Sequence, residues 1–143
     1  MARGDVHEVA KDLENMQDRI QDFLSTKSIA LVGATPRTHK WGYKVFRCLI
    51  GHGYETHPIH PIAVSIDGVP CKRRLADVGL PIDGVSVVVP PAQGVEVCEE
   101  ARSLNISRVW FQPGAESKEA IEYCEAQGIA VIHNACVLRE LGC

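Results

Sequence analysis

The sequence predicts an α/β fold built on a doubly wound parallel sheet. Short apolar stretches rich in β-branched residues alternate with amphipathic stretches, which is typical of βαβ units and a parallel sheet. The chain has 143 residues, the length of one domain with a core of its own. Its composition, 45% hydrophobic and 23% charged, is that of an ordinary globular protein.

The first 25 residues are predicted to form an amphipathic helix that precedes the α/β domain of residues 26–143. Apolar residues recur at spacings of three and four, which places on one helix face Val6, Val9, Leu13, Met16, Ile20 and Phe23. The stripe is shorter than a coiled coil needs, which favours packing against the sheet. A homo-oligomer or a partner protein bound through this helix stays open as the alternative.

From residue 28 onward, strands and helices follow one another in a regular order. Strands are predicted at 28–32, 54–59, 83–89, 108–111 and 129–132, with a weak additional strand at 69–71. Helices are predicted at 42–50, 92–104 and 116–127, and glycines follow the first and the last of them. Right-handed crossovers between parallel strands then give a doubly wound topology.

The turn after the first strand has the composition of a phosphate-binding loop. A glycine lets the backbone approach a ligand, and the free N–H groups of the next helix face an anion. Basic side chains in the connecting loop add charge-assisted hydrogen bonds to phosphate. The predicted binding residues are Gly33, Ala34, Thr35, Arg37, Lys40 and Gly42. The alternative is a tight turn followed by a solvated polar loop.

This turn lacks the spacing of the common nucleotide motifs. Gly42 is the next glycine after Gly33, which is not G-x-G-x-x-G, and no carboxylate ends the second strand. The Walker pattern G-x-x-x-x-G-K-[ST] is absent as well. The loop therefore favours a phosphate ligand and argues against an ordinary NAD or ATP site.

The predicted carboxyl ends of the strands are rich in proline and in polar side chains. Ligands of doubly wound sheets bind at this edge, near the point where the strand order reverses. Proline stiffens the edge and removes a hydrogen-bond donor. A stiff, partly apolar edge beside an anion-binding turn suits a long ligand with a phosphate head.

Charge, cysteine and histidine patterns exclude several classes of partner. A net charge of −3 gives no field that recruits nucleic acid or a membrane surface. No pair among the six cysteines has C-x-x-C spacing, which predicts reduced thiols in a cytoplasmic protein. His57 and His60 lie on opposite faces of an extended segment, so no metal site is predicted.

Five segments together resemble the small CoA-binding domain family, which is similar to the CoA-binding domain of the succinyl-CoA synthetase α subunit. They are V-G-A-T, H-G-Y-E-T-H-P-I-H-P, V-V-V-P-P, V-W-F-Q-P-G and H-N-A-C-V-L-R-E, in that order. The resemblance covers residues 26–141 and implies a Rossmann-like parallel sheet with coenzyme A as ligand.

The resemblance also implies where the ligand would lie. The phosphates and nucleotide fall on residues 33–35 and on the loop to Gly42 and Tyr43. The adenosine side, the loop after a later strand, and the polar edge would be formed by Ile59, His60, Pro61, Pro90, Pro91, Gln112 and Asn134. Two positions depart from the family pattern. Ile62 stands where a lysine is expected near the ribose 3′-phosphate, and Ala135 replaces an arginine before the late cysteine.

These patterns predict a non-catalytic module that binds coenzyme A or an acyl-CoA. No acid–base pair or activated nucleophile is predicted from spacing. One alternative is an enzyme that acts on a CoA thioester or thiol through Cys136, which follows the last strand. The other is an NAD(P)-type nucleotide-binding protein.

Overall fold

A central sheet with helices on both faces organises the protein. The structure is a computed structural model that describes residues 15–143, so Val6, Val9 and Leu13 of the predicted N-terminal helix lie outside the described residues. In chain order the elements are α1 (Met16–Leu24), β1 (Ser28–Val32), α2 (Trp41–Gly51), β2 (Glu55–Ile59), β3 (Ser65–Ile66), β4 (Val69–Pro70), β5 (Gly84–Val87), α3 (Gly94–Ser103), β6 (Arg108–Phe111), α4 (Lys118–Ala126), β7 (Ala130–Ile132) and α5 (Val137–Leu141).

The sheet has five parallel strands in the order β2-β1-β5-β6-β7. Ala30 at the centre of β1 lies opposite His57 of β2 and Val85 of β5, which fixes the register of the middle of the sheet. The strand order reverses between β1 and β5, because β2 follows on one side of β1 and β5 on the other. The predicted α/β fold with a doubly wound parallel sheet is confirmed.

Alternate residues of each strand supply two separate apolar cores. Ile29 and Leu31 face the layer formed by α1, α2 and α5, whereas Ala30 between them faces the layer of α3 and α4. The same alternation in β6 directs Trp110 to the first layer and Phe111 to the second. Side chains that alternate across a strand buried on both faces explain why these strands are apolar throughout.

Helix α1 packs against the sheet, as the apolar stripe favours. Phe23 is fully buried, and its ring meets Trp110 edge-on at a centroid distance of 5.2 Å. Arg19 Nη1 donates a hydrogen bond to the carbonyl of Val131 at 2.8 Å. Asp22 accepts from Arg108 Nε at 2.7 Å. Burial of one aromatic side chain stabilises such a contact by about 1.5–3 kcal/mol.

The predicted strand at 69–71 is present as Val69–Pro70, but it lies outside the parallel sheet. Val69–Pro70 pairs antiparallel with Ser65–Ile66 in a small hairpin outside the main sheet. Asp67 and Gly68 both have positive φ, 49° and 85°, at the turn. An Asp-Gly turn with two positive φ values is typical of a tight two-residue hairpin, which pairs this stretch with the strand just before it.

The prediction that the cysteines are all reduced is wrong. Cys48 in α2 is bonded to Cys143, with a Cα–Cα distance of 6.0 Å. The short helix α5, which the sequence did not predict, packs beside α2 and carries the chain to this contact. No helix among the described residues is long and apolar enough to cross a membrane.

Candidate functional site

The turn between β1 and α2 is held in place by two glycines. Gly33 has φ +101°, and a Cβ atom there would lie 2.9 Å from the carbonyl carbon of Val88. A Cβ atom on Gly42 would overlap the carbonyl oxygen of Gly33. Only glycine fits both positions, and the first turn of α2 therefore lies directly against the carboxyl end of β1.

The N-terminus of α2 is open to a ligand. Its cap residue, Lys40, makes no side-chain capping bond, and the first turn contains no acidic residue. Thr35 Oγ1 accepts from the N–H of Arg37 at 3.2 Å, which stabilises the loop before the helix. In the described part of the chain, the N–H groups of Trp41 and Gly42 have no partner. Such N–H groups, with the positive end of the helix dipole, bind anions.

Two neighbouring cavities that share four lining residues lie at this edge of the sheet. The first, about 370 Å³, is lined by Gly33, Thr35, Arg37, Lys40, Trp41, Gly42, His60 and Val88. The second, about 420 Å³, is lined by Val32, Gly33, Ala34, Thr35, Ile59, His60, Pro61, Arg73, Val88, Val89, Pro90 and Gln93. They meet at the ends of β1, β2 and β5, where the strand order reverses and where doubly wound sheets bind ligands.

The first cavity carries two uncompensated positive charges. The side chains of Arg37 and Lys40 are exposed, and neither pairs with a carboxylate among the described residues. They lie on the loop that leads into the uncapped helix terminus. Charged side chains and helix N–H groups at one place form a favourable position for a phosphate.

His60 lines both cavities in a fixed tautomer. Its Nδ1 accepts from the backbone N–H groups of Ile62 at 3.0 Å and Ala63 at 2.8 Å. A ring nitrogen that accepts two hydrogen bonds carries no proton, so in the neutral ring the proton is on Nε2. His60, which borders both cavities, therefore has Nε2 as the ring atom left to donate a hydrogen bond.

Most of the predicted site residues line these cavities, but four do not. Tyr43 lines a neighbouring cavity with Thr38, and its hydroxyl donates to Asp67 at 2.7 Å, which raises the pKa of the phenol. Pro91 and Asn134 are exposed outside both cavities. Gln112 is also absent from the linings.

Gln112 is fully buried, in contrast to the expected place on the polar edge. Its Nε2 donates to Ser86 at 3.1 Å, and its Oε1 accepts from the N–H of Val137 at 2.9 Å. The amide thus links β5 to the start of α5. Cys136, the half-buried cap residue of α5, does not line either cavity.

Six lining residues were not predicted: Val32, Trp41, Arg73, Val88, Val89 and Gln93. Trp41 is 41% exposed, which is unusual for a large aromatic ring. Its position directly before Gly42 was the sequence signal that could have placed it at the site. Arg73 had no sequence signal, because its position depends on the hairpin before it. One further group of ligand types, Cys48, His52 and Cys143, lies within 4.8 Å, but the disulfide occupies both sulfurs.

A doubly wound sheet with an uncapped, basic turn at the point of strand reversal defines a Rossmann-like domain. Comparison with known families agrees with this class. Residues 27–142 match the model of the CoA binding domain, and the chain belongs to this family. The resemblance noted in the sequence is therefore confirmed.

Individual relatives support the family assignment. The uncharacterized protein YneT of Bacillus subtilis is 30% identical over 112 residues, which cover 78% of this chain and 83% of YneT. A solved structure of a conserved hypothetical protein from Pyrococcus furiosus is 34% identical with a TM-score of 0.77, covering 80% of this chain and 99% of that one. An ADP-forming acetate–CoA ligase of Methanocaldococcus jannaschii is 34% identical over 74 residues, which are 52% of this chain but 10% of the ligase.

Proposed function

We propose that this protein binds coenzyme A or an acyl-CoA as a non-catalytic binding module. One observation carries the proposal: the uncapped start of α2 and the unpaired charges of Arg37 and Lys40 converge on one cavity beside Gly33. A diphosphate matches this arrangement, because backbone N–H groups and flexible basic side chains can each reach one of its oxygens.

The lining of the second cavity supports coenzyme A over other nucleotides. At the end of β5 it is bordered by Val88, Val89 and Pro90, which suit an uncharged, extended arm. No carboxylate lines either cavity in the described part of the chain, whereas NAD sites use an acidic residue for the ribose hydroxyls. Membership of the CoA-binding family favours the same ligand.

The lining residues favour binding without chemistry. Among the described residues that border the cavities there is no cysteine, serine, aspartate or glutamate. Thr35 Oγ1 is engaged by the backbone of its own loop, which leaves no activated nucleophile beside a general base. The chain spans a tenth of the acetate–CoA ligase that it resembles, so the activity of that enzyme is not carried over.

Isothermal titration calorimetry with coenzyme A, NAD and ATP at one ionic strength tests the proposal. We expect coenzyme A to bind most tightly, and native mass spectrometry of freshly purified protein to release a mass of coenzyme A or an acyl-CoA. Tighter binding of NAD, or no heat with coenzyme A, would refute the proposal.

A further inference from the structure

The segment after the β3–β4 hairpin returns to the main sheet beside β2. The N–H of Lys72 donates to the carbonyl of Pro58 at 3.0 Å, and the N–H of His60 donates to the carbonyl of Lys72 at 2.9 Å. Lys72 thereby forms a parallel bridge with Ile59, the last residue of β2. These two backbone bonds fix the next residue, Arg73, at the carboxyl end of β2, on the edge where the cavities open.

Arg73 reaches the second cavity and has no partner. Its side chain lines this cavity with Ile59, His60 and Pro61. Among the described residues it makes no ion pair or hydrogen bond, and its charge is uncompensated. The neighbouring Arg74, in contrast, forms an ion pair with Asp77, with 3.9 Å between Nε and Oδ2, and does not line the cavity.

The two cavities therefore present positive charge at two separate places. Arg37 and Lys40 lie in the first cavity, and Arg73 lies in the second. Gly33, Thr35, Val88 and His60, with its Nε2 proton, border both. A ligand that spans both places would carry a diphosphate beside Arg37 and Lys40 and a separate phosphate beside Arg73. A nucleotide with a ribose phosphomonoester has this chemistry.

We infer that Arg73 recognises the 3′-phosphate of the coenzyme A ribose and sets the preference for coenzyme A over its 3′-dephospho form. The inference rests on the proposed function. A guanidinium can hold two oxygens of a phosphomonoester with parallel hydrogen bonds, which a point charge cannot do. The bridge through Lys72 positions the backbone of Arg73, so the side chain alone has to be ordered on binding.

Calorimetry with coenzyme A and 3′-dephospho-CoA tests this assignment in the wild type, Arg73→Ala and Arg74→Ala. We expect the wild type to bind coenzyme A at least tenfold more tightly than 3′-dephospho-CoA. A difference of this size matches the contribution of a hydrogen bond to a charged group. Arg73→Ala is expected to remove this preference by weakening the binding of coenzyme A and leaving that of 3′-dephospho-CoA unchanged. Arg74→Ala should keep the preference, and Arg73→Lys should restore part of it.

The outcomes separate the inference from the proposed function. If both ligands bind the wild type equally, or if Arg73→Ala keeps the preference, the role of Arg73 is refuted while coenzyme A remains the ligand. If neither ligand binds the wild type, the proposed function fails, and the inference fails with it. Titrations with NADP and NAD test whether a ribose 2′-phosphate is recognised instead. Tighter binding of NADP than of coenzyme A would overturn the assignment to the 3′-phosphate.

Discussion

Gly42 in the first turn of α2 packs against the carbonyl oxygen of Gly33 at the end of β1, with no room between them for a Cβ atom. This contact sets the distance between the helix terminus and the strand end. The free N–H groups of α2 and the Gly33 turn are therefore held together by one tight contact, and a change at either glycine is expected to affect both folding and the proposed binding.

Gly42→Ala is expected to lower the free energy of unfolding by about 1–3 kcal/mol, the cost of overpacking a tight contact, and to weaken coenzyme A binding. Gly51→Ala is the matched control, because it lies in the same helix and its added Cβ atom would contact nothing within 4 Å. Urea denaturation and calorimetry measure the two effects. Equal stability and affinity in the two variants would contradict the contact.

The basic loop gives a second prediction. Arg37→Ala and Lys40→Ala are each expected to reduce coenzyme A affinity by about 1–3 kcal/mol, because each removes a charged hydrogen-bond donor from the phosphate position. Raising the salt concentration should weaken wild-type binding more than binding by the double variant, since both side chains are exposed. Lys118→Ala, an exposed change at the start of α4, serves as the control. Unchanged affinity in the double variant would show that the loop is a solvated surface loop that does not contact the ligand.

The sequence was sufficient for the parts of the fold and site that depend on local order. β-Branched strands buried on both faces predicted the sheet, and Gly33 and the basic loop, predicted as site residues, line one cavity. Each of these predictions involves residues close in the chain. Family membership, implied by the order of five short segments, was confirmed by the match over residues 27–142.

The parts that were missed depend on contacts between distant segments. Arg73 reaches the cavity only because Asp67 and Gly68 turn the chain back and Lys72 then pairs with β2. Gln112 looked like a polar edge residue, but Ser86 and Val137 satisfy its amide inside the protein. The Asp-Gly pair is a recognisable hairpin signal, whereas nothing local indicates which residues will meet across the sheet.

The disulfide between Cys48 and Cys143 joins positions 95 residues apart and leads to a third prediction. Cys143→Ser is expected to lower the free energy of unfolding by about 2–5 kcal/mol, because a bridge that closes a long loop restricts the unfolded chain. Cys136→Ser, which changes a free thiol, is the control and should have a small effect. Urea denaturation with and without reductant measures the contribution of the disulfide. Reductant should lower the free energy of unfolding of the wild type but leave that of the Cys143 variant unchanged.

Thiol counting checks the same bond directly. The unfolded protein should show four reactive thiols without reductant and six with it, since four of the six cysteines are free. Cys98 and Cys124 lie with their sulfurs 3.2 Å apart in the core, where contact with Cys98 and burial raise the pKa of the Cys124 thiol. These two should therefore react only after unfolding. Six reactive thiols without reductant would exclude the disulfide.

Asp83 ties the segment before β5 to the start of β1. One carboxylate oxygen accepts from the N–H of Ser28 at 2.9 Å and from the N–H of Lys27 at 3.1 Å. The bond from Ser28 is the main cause that holds the pKa of Asp83 below its usual value, with the Lys27 bond and the charges of Arg108 and Lys27 acting in the same direction against partial burial. The ionised form is therefore the one that the fold stabilises.

A carboxyl group whose pKa is lower in the folded state stabilises the protein above its unfolded pKa, about 3.9, and loses this contribution as the pH falls through the folded value. Asp83→Ala is therefore expected to cost about 1–3 kcal/mol of unfolding free energy at pH 7, by leaving two backbone N–H groups without their acceptor. This difference from the wild type should shrink below about pH 4. Asp77→Ala removes only an exposed ion pair with Arg74 and should have little effect at any pH. Urea denaturation from pH 7 to pH 2.5 measures all three proteins, and a cost for Asp83→Ala that stays constant with pH would show that its charge does not contribute.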